Sequence, residues 1–321
     1  MAQSRVSTVA DLGEFALIDR ITAGLPGSPA VSVGPGDDAA VFLVNGSAVV
    51  SVDLFVEGVH FRQEWSDPFD IGRKVVAASV ADLEAMGATP VALVLGMTLP
   101  RDTAQAWVDQ FAAGVRAEAE RARIALVGGD ISQADRIVVS ASVTGQTDAW
   151  SPVLRTGAKP GQLVAFCGRL GWAGAGLAAL ARGFRSPKAV VDAHRCPAVP
   201  YGAGRIAAQA GAGAMIDVSD GLLADLAHMA RASGVTINVE SDRLDVAEPV
   251  GAVAAATGRD PLDFVLTGGE DHALVATFDL GDVPEGWLVI GSVEERAADD
   301  ASFVLVDHVV WQSAPPGWTH F

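Results

Sequence analysis

Aromatic residues are scarce in this chain, and so is positive charge. Phe, Trp and Tyr make up 6% of 321 residues, with a single Tyr, while half of the residues are hydrophobic. The core must therefore be built largely from Ala, Val, Leu and Ile, a composition that suits buried sheets flanked by helices. Lys and Arg number 22 against 39 Asp and Glu, a formal charge of −17. A field of that sign opposes non-specific binding to nucleic acid or to anionic membranes. It leaves ATP open as a ligand, because bound cations invert the local charge. Cys167 and Cys196 are too few and too far apart for a disulfide framework or a zinc site, and read as small hydrophobes. No apolar run reaches the roughly 20 residues of a membrane span, and Met1 to Asp19 lacks the layout of a signal peptide. A soluble, cytoplasmic protein is expected, with no nucleic-acid or membrane partner.

What the chain does have is carboxylates beside glycine or another small residue. They occur in Gly36-Asp37-Asp38, Ser51-Val52-Asp53, Ala81-Asp82, Gly128-Gly129-Asp130, Asp217-Val218-Ser219-Asp220 and Gly268-Gly269-Glu270-Asp271. Most follow strand-like text. Carboxylate oxygens suit hard cations such as Mg²⁺, which usually arrives with substrate phosphates, and small neighbours let phosphate approach the backbone. An acidic, multi-metal nucleotide site is the expectation. A P-loop and a protein-kinase catalytic set are both missing. The glycine run Gly171-Trp172-Ala173-Gly174-Ala175-Gly176 has the wrong order for a dinucleotide fingerprint and is read as tight strand–helix packing.

Asp67-Pro68 announces a helix. Ile71, Val75, Ala78, Asp82 and Met86 then recur at spacings of three and four and share a face. Asp82 thus sits on an apolar stripe, costly unless a partner waits there. Strands are expected at 48–52, 90–99, 124–127 and 137–143, with a long helix over 103–123. The pattern weakens between Gln146 and Pro152, which marks a domain boundary. Further strands are expected at 162–167, 214–218, 236–239, 272–278, 287–290 and 303–310, with a helix over 221–232 that Ser219 or Asp220 can cap. That helix start is equally suited to phosphate. The fold class is α/β, of the α+β sandwich type, in two domains.

Taken together these segments resemble the thiamine-monophosphate kinases, across essentially the whole chain. The carriers are Gly13-Glu14-Phe15, Gly36-Asp37-Asp38-Ala39-Ala40, Val56-Glu57-Gly58-Val59-His60-Phe61 and Ala81-Asp82-Leu83-Glu84-Ala85-Met86-Gly87-Ala88. Gly128-Gly129-Asp130, Arg155 to Gly161, Ile216-Asp217-Val218-Ser219-Asp220-Gly221-Leu222, Gly268-Gly269-Glu270-Asp271 and Gly317-Trp318-Thr319-His320-Phe321 complete the set. The resemblance implies a two-domain PurM-like architecture, with residues 1–150 binding ATP and metal and dimerising through their sheet. Residues 151–321 would complete the nucleotide and substrate site. It also implies direct in-line transfer from ATP to thiamine monophosphate, the last step in making the thiamine diphosphate cofactor, by a homodimer using several Mg²⁺ ions.

By matching motifs, Asp38, Ser51, Asp53, Asp82, Asp130, Asp217 and Asp220 would hold metal. Gly129, Asp130, Arg155 and Ser219 would contact ATP, and His60, Glu270 and Trp318 the thiamine substrate. Asp37 and Asp271 are left to local structure. No covalent nucleophile or general base is nominated. Val52 stands where relatives often carry a hydroxyl, so a metal contact there would use its carbonyl. Ala81 replaces a common Ser, and His272 a frequent Tyr. Aminoimidazole-ribonucleotide synthetase is the main enzymatic alternative, and a silent metal or nucleotide sensor the alternative from another class. Selenophosphate synthetase is disfavoured because no Cys lies near the N-terminus beside a catalytic Lys. A carbamoyl-dehydrating maturation enzyme is disfavoured because the chain ends without a reactive Cys.

Overall fold

The computed structural model describes residues 7–24, 27–36, 39–296, 302–313 and Gly317. It divides into two compact units, one of Met1–Val80 with Pro90–Asp148 and one of Ala81–Thr89 with Ala149–Phe321. In chain order the first carries α1 (Val9–Leu12), α2 (Glu14–Thr22), β1 (Val31–Val33), β2 (Val41–Phe42), β3 (Ala48–Val56), α3 (Pro68–Ala85), β4 (Thr89–Leu99), α4 (Gln105–Ala122), β5 (Ala125–Gln133) and β6 (Val138–Gln146). Helix α3 passes from the first unit into the second at Ala81.

The four-stranded sheet of the first unit runs β3-β6-β4-β5, with β3 and β6 antiparallel and β4 and β5 parallel. Side chains alternate across it, as the two-residue repeat of a strand requires. Val139, Ala141 and Val143 are sealed from solvent on one face, while Val50, Val52 and Leu54 stand exposed on the other. Helix α3 begins where the sequence places it: Asp67 Oδ1 accepts from the Asp70 amide at 2.8 Å, and Pro68 takes the first helical position. The expected one-sided stripe, however, is too narrow. Val75, Val76, Ala77 and Val80 are all sealed, so the helix is buried nearly all round.

Two glycines make the crossing of α3 and α4 possible. A Cβ on Gly72 would stand 2.2 Å from the Phe111 carbonyl oxygen, and one on Gly114 would stand 2.0 Å from that of Phe69. The helices therefore meet backbone to backbone, beside the stacked rings of Trp107 and Phe111 (5.3 Å, 11°).

The second unit carries β7 (Leu163–Cys167), α5 (Trp172–Ala181), α6 (Lys188–Arg195), α7 (Ala203–Gln209), β8 (Met215–Asp217), α8 (Leu222–Ser233), β9 (Thr236–Val239), α9 (Glu248–Thr257), α10 (Pro261–Thr267), β10 (Leu274–Phe278), β11 (Leu288–Glu294) and β12 (Val304–Val306). Its six-stranded sheet runs β12-β9-β11-β7-β10-β8 and is antiparallel except where β12 joins β9. Both faces are covered. Val164, Phe166, Ile216 and Val275 join a core with Leu222 and Leu226 of α8. Ala165, Met215, Leu274 and Phe278 join another with Ala207 of α7. The glycine run is packing, but of helix against helix where strand against helix was expected: a Cβ on Gly176 of α5 would lie 2.1 Å from the Val190 carbonyl oxygen on α6. Among the described residues no helix is long and apolar enough to cross a membrane.

Gly114→Ala should force α3 and α4 apart and cost about 2 kcal/mol or more, the range of overpacked cores. Urea unfolding of the purified variant measures it, and an unchanged midpoint would contradict the close crossing.

Candidate functional site

Strand β3 runs on to Val56, so Asp53 lies inside it and not at its end. Asp53 pairs with Ala141 and Ser51 with Val143, both sealed, so Ser51 and Asp53 turn toward the packed face of the sheet. Val52 points the other way and is 66% exposed. Gly128-Gly129-Asp130 is likewise inside a strand, since β5 continues to Gln133. The pairing slips by one residue there: Leu93 faces Leu126 but Val94 faces Gly128, leaving Val127 as a bulge. A Cβ on Gly129 would stand 2.3 Å from the Leu95 carbonyl oxygen, so the close strand pairing requires glycine here. The slip puts Asp130, exposed, opposite Gly96 on the open face. Asp53 and Asp130 therefore occupy opposite faces and opposite edges of one sheet. Three strand spacings, on the order of 14 Å, separate them. The expectation that they sit at strand ends is corrected.

His60 stands in a tight turn after β3, where Gly58 N donates to Phe61 O at 2.7 Å and His60 N to Val56 O at 2.9 Å. Its Nδ1 accepts from the Val56 amide at 3.1 Å, and its carbonyl accepts from Lys74 Nζ, also at 3.1 Å. Lys74 is only 4% exposed. A buried lysine on the helix was not singled out from the sequence.

In the second unit two loops cross. Glu270 N donates to Ser219 O (2.7 Å) and His272 N to Val218 O (2.8 Å), extending the β10–β8 pairing past its strands. Asp217 closes β8, as expected, and its Oδ2 meets His272 Nδ1 at 2.9 Å. Burial opposes the charge on His272, but the bond to Asp217 and the charges of Asp217, Glu270 and Asp82 outweigh it and raise its pKa. Half-buried Asp82 is the smallest of the charges acting on His272. Glu270 takes a positive φ of 64° and its Oε2 lies 3.4 Å from Nδ1 of the buried His194. Arg155 stands on an exposed loop whose carbonyl accepts from Ser233 Oγ at 3.2 Å.

Neither Ser219 nor Asp220 caps α8. Asp225, within the helix, turns back so that Oδ2 accepts from the amides of Ser219, Asp220 and Gly221 at 3.0, 3.0 and 3.1 Å. Burial first, then the charge of Asp217, pushes its pKa up to about 7, against the pull of those amides. Asp271 is structural, as expected: its Oδ1 accepts from Ala173 N at 2.7 Å and its Oδ2 from Gly171 N, capping α5. Glu84 does the same for α7 through the amides of Gly202 and Gly204 (2.8 and 3.1 Å). These caps join residues distant in sequence, and only Asp271 was assigned to local structure in advance. Asp37, Asp38 and Trp318 lie outside the described residues. Gly317, just before Trp318, is described: a Cβ there would meet the Asp220 carbonyl oxygen at 2.7 Å.

Among the described residues no three Asp, Glu, His or Cys side chains form a cage for a cation. The donor set still fits Mg²⁺, which is commonly held by one or two carboxylates, its own waters and substrate phosphates.

Residues 36–147 match the family of AIR synthase related protein, N-terminal domain, and 159–300 its C-terminal domain. The chain is 45% identical to the thiamine-monophosphate kinase of Mycobacterium tuberculosis over 98% of its own length and 93% of that protein. It is 40% identical to that of Corynebacterium glutamicum, over 98% and 95%. Its fold, two-domain and PurM-like, superposes on the solved structure of AaThiL complexed with AMPPCP and TMP with a TM-score of 0.79. That match has 32% identity and covers all of both chains.

The buried carboxylates set a pH dependence. Burial pushes the Asp271 carboxyl up to about 7, with the amides of Ala173 and Gly171 and the His272 charge only partly offsetting it. A carboxyl raised in the folded state binds more protons folded than unfolded, so stability falls as pH rises from about 4 through about 7. Thermal midpoints should decline from pH 5 to pH 8, and Asp271→Asn should flatten part of that decline. A midpoint that rises over this range in the wild type would refute the assignment.

Proposed function

Because the chain belongs to the thiamine-monophosphate kinase family, we infer that it catalyses the ATP-dependent phosphorylation of thiamine monophosphate to thiamine diphosphate. The observation that carries this is 45% identity sustained over 98% of the chain. Further support comes from the full-length match to a relative solved with AMPPCP and TMP bound.

We propose that Asp38, Asp53, Asp82, Asp130, Asp217 and Asp220, with Ser51 and the Val52 carbonyl, hold several Mg²⁺ ions. Such ions bridge phosphate oxygens and neutralise charge as the phosphoryl group moves. His272 fixes the orientation of Asp217, whose Oδ2 it engages. At Ser219 the amide is committed to Asp225 and the carbonyl to Glu270, so its hydroxyl is the group left for ATP. Arg155 offers a planar fork for phosphate oxygens, and Gly129 and Asp130 complete the nucleotide contacts. His60, Glu270 and Trp318 recognise the acceptor. A carboxylate at 270 complements the cationic thiazolium ring. The acceptor phosphate is mostly ionised at neutral pH (second pKa roughly 6), so the chain need not remove a proton from it.

A homodimer paired through the first unit's sheet is also proposed. Its support is the stripe of Val50, Val52 and Leu54 on β3, exposed by 65%, 66% and 55%. Apolar side chains in a row on an open face gain by burial against a like surface.

Pure protein incubated with ATP, Mg²⁺ and thiamine monophosphate should yield thiamine diphosphate and ADP by chromatography. Turnover of formylglycinamidine ribonucleotide instead would assign it to the synthetase reaction, and ATP binding with no turnover of either would make it a sensor. Asp130→Asn should lower kcat by at least a hundredfold with the thermal midpoint preserved; wild-type turnover would remove Asp130 from the metal set. Val52→Asp should convert the dimer to monomer in sedimentation velocity, and an unchanged sedimentation coefficient would rule out this interface.

A further inference from the structure

Three successive amides, those of Ser219, Asp220 and Gly221, point at a single atom, Oδ2 of Asp225. Successive N–H groups turned to one place form a concavity that binds anions. At the start of a helix such a concavity is where a phosphate would settle. Here the chain fills it with a carboxylate of its own. Asp225 is 3% exposed, and Leu222, Leu226 and Met229, all sealed, seat its helix in the core. The rest of the loop is bonded as fully. The Val218 amide donates to Ala273 O at 2.8 Å, and the Asp225 amide to Gly221 O at 3.0 Å. The carbonyls of Val218 and Ser219 accept from His272 and Glu270. Gly221 takes a φ of 132°, strained for any side chain, and a Cβ on it would stand 2.8 Å from Thr267 O. The loop therefore has one backbone arrangement, and what it presents is side chains: the Ser219 hydroxyl and the Asp220 carboxylate, both half-buried.

We propose that Asp225 is a positioning residue for the phosphoryl transfer: it aims Ser219 and Asp220 at the nucleotide and its metal, and it withholds this helix start's amides from phosphate. The proposal rests on the kinase reading and adds to it a residue that touches neither substrate nor metal. Phosphoryl transfer asks a protein chiefly for placement and charge neutralisation, and misplacement by about 1 Å costs on the order of a hundredfold in rate. A short carboxylate on a sealed helix, with one oxygen bonded to three amides, suits that demand. One consequence is specific to the nucleotide. With its amides taken, the loop reaches the polyphosphate through a hydroxyl and through metal, so its share of the work depends on Mg²⁺.

Two measurements test it. In hydrogen exchange on the ligand-free protein, read by mass spectrometry, the peptide covering residues 218–222 should be protected in the wild type. Asp225→Ala should speed its exchange about tenfold or more, the scale of a hydrogen bond to a charged acceptor, while peptides from β9 and β11 stay unchanged. Unaltered protection at 218–222 would show that the carboxylate does not hold the loop and would overturn the proposal. This arm stands whether or not the protein is a kinase. In steady-state kinetics, folded Asp225→Ala should lower kcat about a hundredfold. It should also raise the Mg²⁺ concentration for half-maximal rate about tenfold, the cost of losing a group that orients a metal ligand. KM for thiamine monophosphate should hardly move. Asp225→Asn, whose side-chain oxygen can accept the same amides, should recover most of kcat. A residue that serves stability alone would lower the thermal midpoint and leave kcat and the Mg²⁺ requirement at wild-type values; that result removes Asp225 from the reaction. If Asp225→Asn is as impaired as Asp225→Ala, the effect lies in charge and not in the held amides, and the proposal fails. Should Asp225→Ala not fold, Asp225→Glu carries both arms with the same expected losses, because its extra methylene pushes the oxygen past the amides. Wild-type protein that makes no thiamine diphosphate defeats the kinase reading instead, and the exchange arm tells the two failures apart.

Discussion

The Asp225 carboxylate gathers the amides of three consecutive residues, Ser219 to Gly221, and the second unit's site depends on that grip. Unpaired buried amides at a helix start are costly, and here an acid from inside the helix reaches back to satisfy them. With those donors fixed, the loop presents Ser219 O to Glu270 and Val218 O to His272. The crossing holds the backbones of Asp217, Ser219, Asp220, Glu270 and His272 as a single frame. Asp271 and Glu84 repeat the device at α5 and α7. Carboxylates that look alike in the sequence thus divide into those that hold backbone and those that do not.

The division has an electrostatic consequence. Glu84, Asp225 and Asp271 are buried and each is pushed up to about 7, so near neutrality their charge is partly withdrawn. That moderates the repulsion that Asp225 would otherwise share with Asp217 and Asp220. His272, raised in its turn by Asp217, adds positive character beside Asp217 and within the field of Asp82 and Glu270. A chain of net charge −17 therefore reaches a polyanionic substrate with its acids partly neutralised by burial and by one histidine.

Much of the architecture was legible. The turn at Asp67-Pro68, the strands β4, β7 and β9, and the helix α8 stand close to where periodicity and capping chemistry put them, because those signals are local. Less legible were Asp53 and Gly128-Gly129-Asp130, expected at strand ends and found inside strands. Polar and glycine residues read as stops, yet an edge strand tolerates the one and a close strand pairing requires the other. Helix α3 was read as one-sided because periodicity reports the strongest face and cannot report that every face is covered.

The sequence alone determined the residue types: an acidic, aromatic-poor α/β chain with the carboxylates, glycines and the His60 turn of a phosphoryl-transfer family. Those follow from composition and short-range spacing, which need no third dimension. Tertiary structure decided which face each of those residues takes and which atoms are already spent. Register set Asp53 and Asp130 on opposite faces of one sheet. Contacts a hundred residues apart made Asp271 a cap, and a local hydrogen bond committed Nδ1 of His60 to the Val56 amide. Hydrogen bonds are directional and consume a fixed number of donors and acceptors, and that count closes only when the chain has folded.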